Sequence, residues 1–158
     1  MRTTVRIVER LDRRLVDLLT AEGRTSFTDL GKATGLSTSA VHQRVRRLEE
    51  RGVITGYHAA VDWEAVGLPL TALISVTPLD PAAPDDVPER LTDISEIEAC
   101  HSVAGEESYV LKVRVSTPGA LEDLLARIRT AANVSTRTTV VLSTPWEGRP
   151  TAPAATDT

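Results

Sequence analysis

The chain has 158 residues, 41% apolar and 25% charged, enough for one good core or two small ones. No run approaches the roughly 18 apolar residues of a membrane helix, the N-terminus lacks the apolar centre of a secretory signal, and a single cysteine, Cys100, excludes an internal disulfide, so a cytoplasmic protein is expected. The net charge of -4 conceals a division: residues 1–60 carry 11 Lys+Arg against 7 Asp+Glu, and residues 61–158 carry 7 against 15. Such asymmetry suggests an N-terminal module that meets a polyanion and an acidic module with another task.

In chain order, Asp12 is read as the N-cap of a first helix with Leu15, Leu18 and Leu19 on one face, Leu11 as a staple and Gly23 as a left-handed stop. Ser26 and Asp29 form a capping-box pattern opening a second helix, whose Leu30 and Ala33 face inward before Gly35 ends it. Ser37 caps a third helix that Gly52 closes. Within it Val41, Val45 and Leu48 make one buried stripe, and Ser39, His42, Gln43, Arg46 and Arg47 fall between them. These side chains suit phosphate oxygens and the base edges of a major groove, the profile of a recognition helix. Three helices of this kind make a helix-turn-helix unit.

Beyond Gly52 the period changes. Val53-Ile54 and Tyr57 to Val61 read as short extended pieces, and Leu68 to Thr77 as a strand rich in β-branched residues. Turn material from Pro78 precedes a short helix ending near Asp93, with Val87, Leu91 and Ile94 as its apolar side. Ile97 to Ala104 and Tyr109 to Val115 alternate as a hairpin around Gly105. Pro118 opens a helix carrying Leu121, Leu124, Leu125 and Ile128, and Val134 to Ser143 is the last strand. The order strand, helix, strand, strand, helix, strand is the ferredoxin-like arrangement, whose uncovered sheet face asks for a second copy of the chain. The tail from Pro145 is expected to be flexible.

These residues resemble the Lrp/AsnC (leucine-responsive, feast/famine) family of transcriptional regulators over about residues 8–144. In the first part the resemblance rests on Leu11-Asp12, Leu18-Leu19, Gly23-Arg24, Gly35-Leu36-Ser37, Arg44-Val45, Leu48-Glu49, Gly52-Val53-Ile54 and Gly67. In the second it rests on Val103, Gly105-Glu106, Tyr109, Leu111-Lys112-Val113, Thr139 and Val141-Leu142. The expected architecture is therefore α+β. A winged-helix-like helix-turn-helix domain over 1–54 is followed by a strand linker over 55–67, a ferredoxin-like βαββαβ domain over 68–144 that senses a ligand and oligomerises, and the tail 145–158.

The resemblance implies homodimers that place two recognition helices on a pseudo-palindromic promoter site in double-stranded DNA and assemble to octamers or higher. It also implies a small-molecule effector, an amino acid or related molecule, beside the hairpin turn. No cofactor is expected. The DNA-binding candidates are Ser37, Thr38, Ser39, His42, Gln43, Arg46 and Arg47; the effector candidates are Gly105, Glu106, Glu107 and Ser108. The family turn commonly reads Gly-Asp/Glu-Tyr/Phe-Asp, so this turn lacks the aromatic and the second acid. Either Glu106 or Glu107 holds a shifted ligand, or the turn is merely solvated.

Arg46 and Arg47 either contact DNA or solvate a helix whose Glu49 and Glu50 answer them. Arg44 lies near the buried stripe and Arg51 at the helix end, where bracing and dipole roles compete with DNA contact. Cys100 and His101, adjacent on a strand, point to opposite faces and cannot readily chelate a metal. His58 is expected to pack or to touch the DNA backbone. No catalytic set, phosphate loop or metal spacing is present. The leading expectation is a metabolite-responsive DNA-binding regulator and not an enzyme. The alternatives are a sirohaem-decarboxylase-like enzyme on the same plan, against which the basic third helix and the scarcity of histidine argue, and a ligand-independent architectural DNA binder.

Overall fold

In the computed structural model, which describes residues 9–82 and 84–148, the described residues fall into two units, 9–60 with 146–148 and 61–145. The first holds three helices, α1 (Arg10–Ala21), α2 (Phe27–Thr34) and α3 (Thr38–Glu50). Ser26 and Ser37 behave as the sequence indicates: the Asp29 amide donates to Ser26 Oγ at 3.1 Å and the Ala40 amide to Ser37 Oγ at 3.2 Å. Each takes up one of the amides that a helix start leaves unpaired. Gly35 (φ 75°) and Gly52 (φ 66°) end α2 and α3 in the left-handed region. Leu15, Leu30, Val41 and Val45 form the core, with Leu18, Leu19, Leu36 and Ile54 packed around it. Each fully buried side chain of this size contributes roughly 1.5–3 kcal/mol.

Four local expectations fail here, one of them at Ala33 of α2, which is exposed rather than turned inward beside Leu30. The N-cap of α1 is Glu9, which makes no side-chain cap bond, whereas Asp12 lies inside the first turn, 2% exposed, and accepts a hydrogen bond from Arg44. A carboxylate in a first turn gains from the helix dipole as a cap does, so the two patterns look alike until the partner is known. Gly23 is not left-handed, because α1 stops at Glu22 in extended backbone (φ -146°, ψ 95°). Leu11 is exposed rather than stapled.

The linker also departs from expectation. The Val53 and Ile54 amides both bond to the Leu48 carbonyl, at 2.9 and 3.2 Å, as a turn closing α3, and residues 55–62 form no strand. Extended backbone becomes a strand only where a neighbour takes up its amides and carbonyls, and among the described residues this segment pairs with no strand. In the second unit Asp62 Oδ1 accepts from the amides of Glu64 and Ala65, fixing a turn that ends at Gly67 (φ 83°).

The second unit is a four-stranded antiparallel sheet in the order β2-β3-β1-β4, with strands β1 (Leu70–Pro78), β2 (Ile97–Ser102), β3 (Tyr109–Val115) and β4 (Val134–Val141). Helices α4 (Val87–Leu91) and α5 (Pro118–Ala132) cross between strands, giving the expected βαββαβ order. Thr117 caps α5 by accepting from the Ala120 amide, Pro118 occupies its first turn, and Asn133 ends it at φ 54°. Ala72, Ile74 and Val76 of β1 and Leu111 and Val113 of β3 alternate onto the covered face and pack with Leu124 and Ile128.

On the open face, Arg114 Nε donates to Glu98 at 2.7 Å, its Nη1 donates to Thr71 at 2.9 Å, and its guanidinium lies 4.8 Å from the Trp63 ring centroid. Leu73 is exposed at the centre of that face. Most of the tail expected from Pro145 lies outside the described residues, and no helix among the described residues is long and apolar enough to cross a membrane.

Candidate nucleic-acid interface and effector turn

Helical spacing sorts α3 into two sides. Val41, Val45 and Leu48 are buried to 1% exposure or less, fixing that side against α1 and α2. Ser39, His42, Gln43 and Arg46 recur at i, i+3, i+4 and i+7 on the opposite side and are all exposed, as are Ser37, Thr38 and Arg47. The structure thus brings the seven DNA-binding candidates onto the outer surface of one helix and its cap. His42 also meets the edge of Phe27, with ring centroids 5.3 Å apart and planes at 77°, which steadies the imidazole from α2.

The acidic residues that answer the arginines are divided. Arg46 Nε donates to Glu50 at 2.8 Å, an exposed pair of little net strength that a phosphate can replace. Glu49 instead accepts from the Tyr57 hydroxyl at 2.8 Å. Partial burial, with that hydrogen bond, pushes the Tyr57 phenol up to about 12. Arg47 takes part in no ion pair among the described residues. Tyr57 was not legible as an α3 partner, because nothing at its position signals where its hydroxyl ends.

Arg44 is a brace. Its Nη1 donates to Asp12 at 2.7 Å and to Glu9 at 3.2 Å, joining α3 to the start of α1, and these two bonds hold its guanidinium above its ordinary pKa. Arg51 is the C-terminal cap residue of α3.

In the second unit, residues 103–108 form the turn between β2 and β3. The Val103 amide donates to the Ser108 carbonyl and the Ser108 amide to the Val76 carbonyl, both at 3.1 Å, which pins the turn to the end of β1. Gly105 and Glu106 are exposed, and Glu107 and Ser108 are half-buried. Glu107 is ion-paired with Arg137 of β4. Glu106 and Glu107 share a pocket of 320 Å³ with Ser75, Thr77, Ser135, Thr136 and Arg137. Ser108 and Gly105 do not line it. Arg137 was missed in the sequence because it stands 30 positions from the turn and only the β1–β4 register brings it there.

Cys100 pairs across the ladder with Leu111 and His101 with Val110, so the neighbouring side chains take opposite faces. No group of three or more His, Cys, Asp or Glu suited to a metal occurs among the described residues. His58 lines a pocket of 330 Å³ with Val16, Leu19, Thr20 and Val53–Tyr57.

A helix-turn-helix whose third helix is basic outside and apolar inside, followed by a ferredoxin-like sheet with a polar pocket at its hairpin turn, defines a one-chain DNA-binding regulator with a ligand-binding domain. Residues 9–49 match the AsnC-type helix-turn-helix domain and residues 71–151 the Lrp/AsnC ligand binding domain, so the chain belongs to the Lrp/AsnC family of transcriptional regulators. It is 58% identical over 139 residues to the HTH-type transcriptional regulator LrpA of Mycobacterium tuberculosis, covering 88% of this chain and 93% of that one. It is 36% identical over 140 residues to the leucine-responsive regulatory protein of Escherichia coli, covering 85% of each. A solved feast or famine regulatory protein from M. tuberculosis, complexed with L-methionine, superposes with a TM-score of 0.89 at 56% identity, over 90% of this chain and 97% of that chain.

Proposed function

We propose that this chain regulates transcription by binding double-stranded DNA through α3 and its cap, residues 37–47, and by answering to an amino acid at the turn Gly105–Ser108. The observation that carries the reading is the exposed stripe Ser39, His42, Gln43 and Arg46 set against a fully buried one on the same helix. Arg46 and Arg47 supply attraction to phosphates, and Ser39, His42 and Gln43 read base edges. The helix-turn-helix region to residue 54 is the DNA-binding domain, 55–67 the linker and 68–144 the effector and assembly domain. The open sheet face, with Leu73 exposed at its centre, supports a homodimer that presents two α3 helices to a pseudo-palindromic site. Assembly of dimers to octamers or higher, a cytoplasmic location and the absence of catalysis belong to the same reading. The amino-acid effector is supported by the methionine complex of the M. tuberculosis protein and by the charged pocket at the turn.

The test selects fragments from the host genome with the purified protein and measures their gel retardation with and without each standard amino acid. Retardation confined to particular fragments, changed by at least one amino acid, supports the reading. Equal retardation of every duplex with no response to any amino acid would contradict it and favour the architectural alternative.

A further inference from the structure

α2 begins with an aromatic side chain that the core does not use. Phe27 follows the Ser26 cap as the first residue of α2, is 37% exposed, and lies outside the cluster built on Leu15, Leu30, Val41 and Val45. Aromatic surface left in water forgoes the gain that its burial would bring, so packing of the helical unit does not account for Phe27. Its ring contact is His42 of α3, with centroids 5.3 Å apart and planes at 77°, the edge-to-face arrangement that ring pairs favour. The backbone beneath Phe27 is fixed. Ser26 Oγ accepts from the Asp29 amide at 3.1 Å and donates to the Asp29 carboxylate at 2.7 Å, and that carboxylate also pairs with Lys32, so the first turn of α2 is closed.

A side chain discriminates between bases only while its polar atoms stay in register with one base edge, and an exposed side chain gives up rotamer freedom to do so. The candidates on α3 meet this demand differently. Ser39 Oγ lies 3.3 Å from Ser37 Oγ in the cap of its own helix, whereas His42 is held by a ring on another helix. A neutral imidazole has one nitrogen that donates and one that accepts. The tilt of the ring therefore decides which group a base edge meets.

Resting on the reading of α3 as the surface that meets DNA, we infer that Phe27 is a positioning residue for sequence readout. Its ring holds the His42 imidazole toward one base pair of the major groove and so sets the preference at that position, without touching the base itself. An aliphatic side chain at residue 27 fills space but offers no ring face or edge to orient the imidazole.

The test selects sites from a pool of randomised duplexes with the full-length wild type, His42→Ala, Phe27→Leu, Phe27→Tyr and the double variant Phe27→Leu/His42→Ala, each shown folded by thermal melting. Gel retardation then compares the selected site with the same site changed at the base pair whose preference His42→Ala relaxes. Phe27→Leu should relax the preference at that same base pair about two- to tenfold, the worth of one ring pair, and Phe27→Tyr, which keeps the ring, should preserve it. In the His42→Ala background Phe27→Leu should add nothing further at that position, because it acts through the imidazole. Equal weakening of every duplex by Phe27→Leu would mark a structural role, and additive effects of the two substitutions would mark a separate contact of residue 27 with DNA. Either result, a preference untouched by Phe27→Leu, or one untouched by His42→Ala, would overturn the assignment of Phe27 and leave the DNA-binding reading standing. If the folded wild type selects no sequence at all, sequence readout by α3 fails and this inference fails with it.

Discussion

Arg44 of α3 and Asp12 of α1 are joined by a 2.7 Å hydrogen-bonded ion pair whose carboxylate side chain is 3% exposed and whose guanidinium side is 25% exposed. The pair sets the position of α3 against α1, so the surface proposed to meet DNA depends on a contact 32 residues apart in sequence.

Arg44→Met should therefore destabilise the helical unit by about 3 kcal/mol, the lower end for a broken buried pair, because it strands the Asp12 charge while Arg44 itself is partly solvated. Asp12→Ala should cost less, about 1–2 kcal/mol, since Arg44 keeps Glu9 and water. The double variant Asp12→Leu/Arg44→Met should recover much of the loss. Hydrogen exchange of the α1 and α3 amides measures all three; a double variant weaker than the sum of the singles would contradict the pairing.

Gly31 lies where α2 meets the turn into α3. A Cβ there would stand 2.7 Å from the Leu36 carbonyl oxygen, a backbone atom that cannot swing aside. Gly31→Ala should cost roughly 1–3 kcal/mol by overpacking and should weaken DNA binding by tilting α3. Thermal melting with gel retardation checks it. Gly35→Ala meets no such obstacle, so its penalty should come from the left-handed backbone alone.

In the sheet unit, partial burial pushes the Glu98 carboxyl up, but hydrogen bonds from Arg114 and Lys112 outweigh it and hold the group below its ordinary value of 4.5. For a carboxyl lowered in the folded state, the stability it contributes is present above 4.5 and is lost as pH falls through the folded value. Acid unfolding of the sheet unit should accordingly begin below pH 4.5, and Glu98→Gln should flatten that limb while lowering stability at neutral pH. An unchanged acid limb in the variant would place the titration elsewhere.

Both tyrosines of the chain are held neutral, each pushed up to about 12: Tyr57 by burial and then by its bond to Glu49, Tyr109 by its bond to Asp85 and then by burial. A phenol raised in the folded state contributes stability that is complete below pH 10 and lost as pH rises toward 12. Phenolate absorbance should show no ionisation near pH 10 in the native protein, and Tyr57→Phe should leave one group titrating near 12. An ordinary titration of either tyrosine would dissolve its carboxylate contact.

Local chemistry made much of this legible. Ser26, Ser37, Gly35 and Gly52 mark the ends of α2 and α3 because caps and left-handed stops act within a few residues, and alternation in Tyr109–Val115 is enforced by one covered sheet face. What escaped was set by distance along the chain. Asp12 passed for a cap because its partner lies on α3, and Tyr57 and Val61 passed for strand because extended backbone shows only in structure whether a neighbour exists. At the candidate sites the exposed residues of one helix could be listed from periodicity, but Arg137 enters the pocket at the turn between β2 and β3 through a strand register that no local pattern encodes.

The most direct measurement is the salt dependence of DNA binding by the wild type and by Arg46→Ala/Arg47→Ala, on a selected fragment and on an unrelated duplex of equal length. Arginines on phosphates should weaken both duplexes alike when removed, and the slope of log affinity against log salt should fall by about 2 for each bound protomer. The same affinity and slope in the double variant, with the protein folded, would contradict the assignment of α3 as the surface that meets DNA.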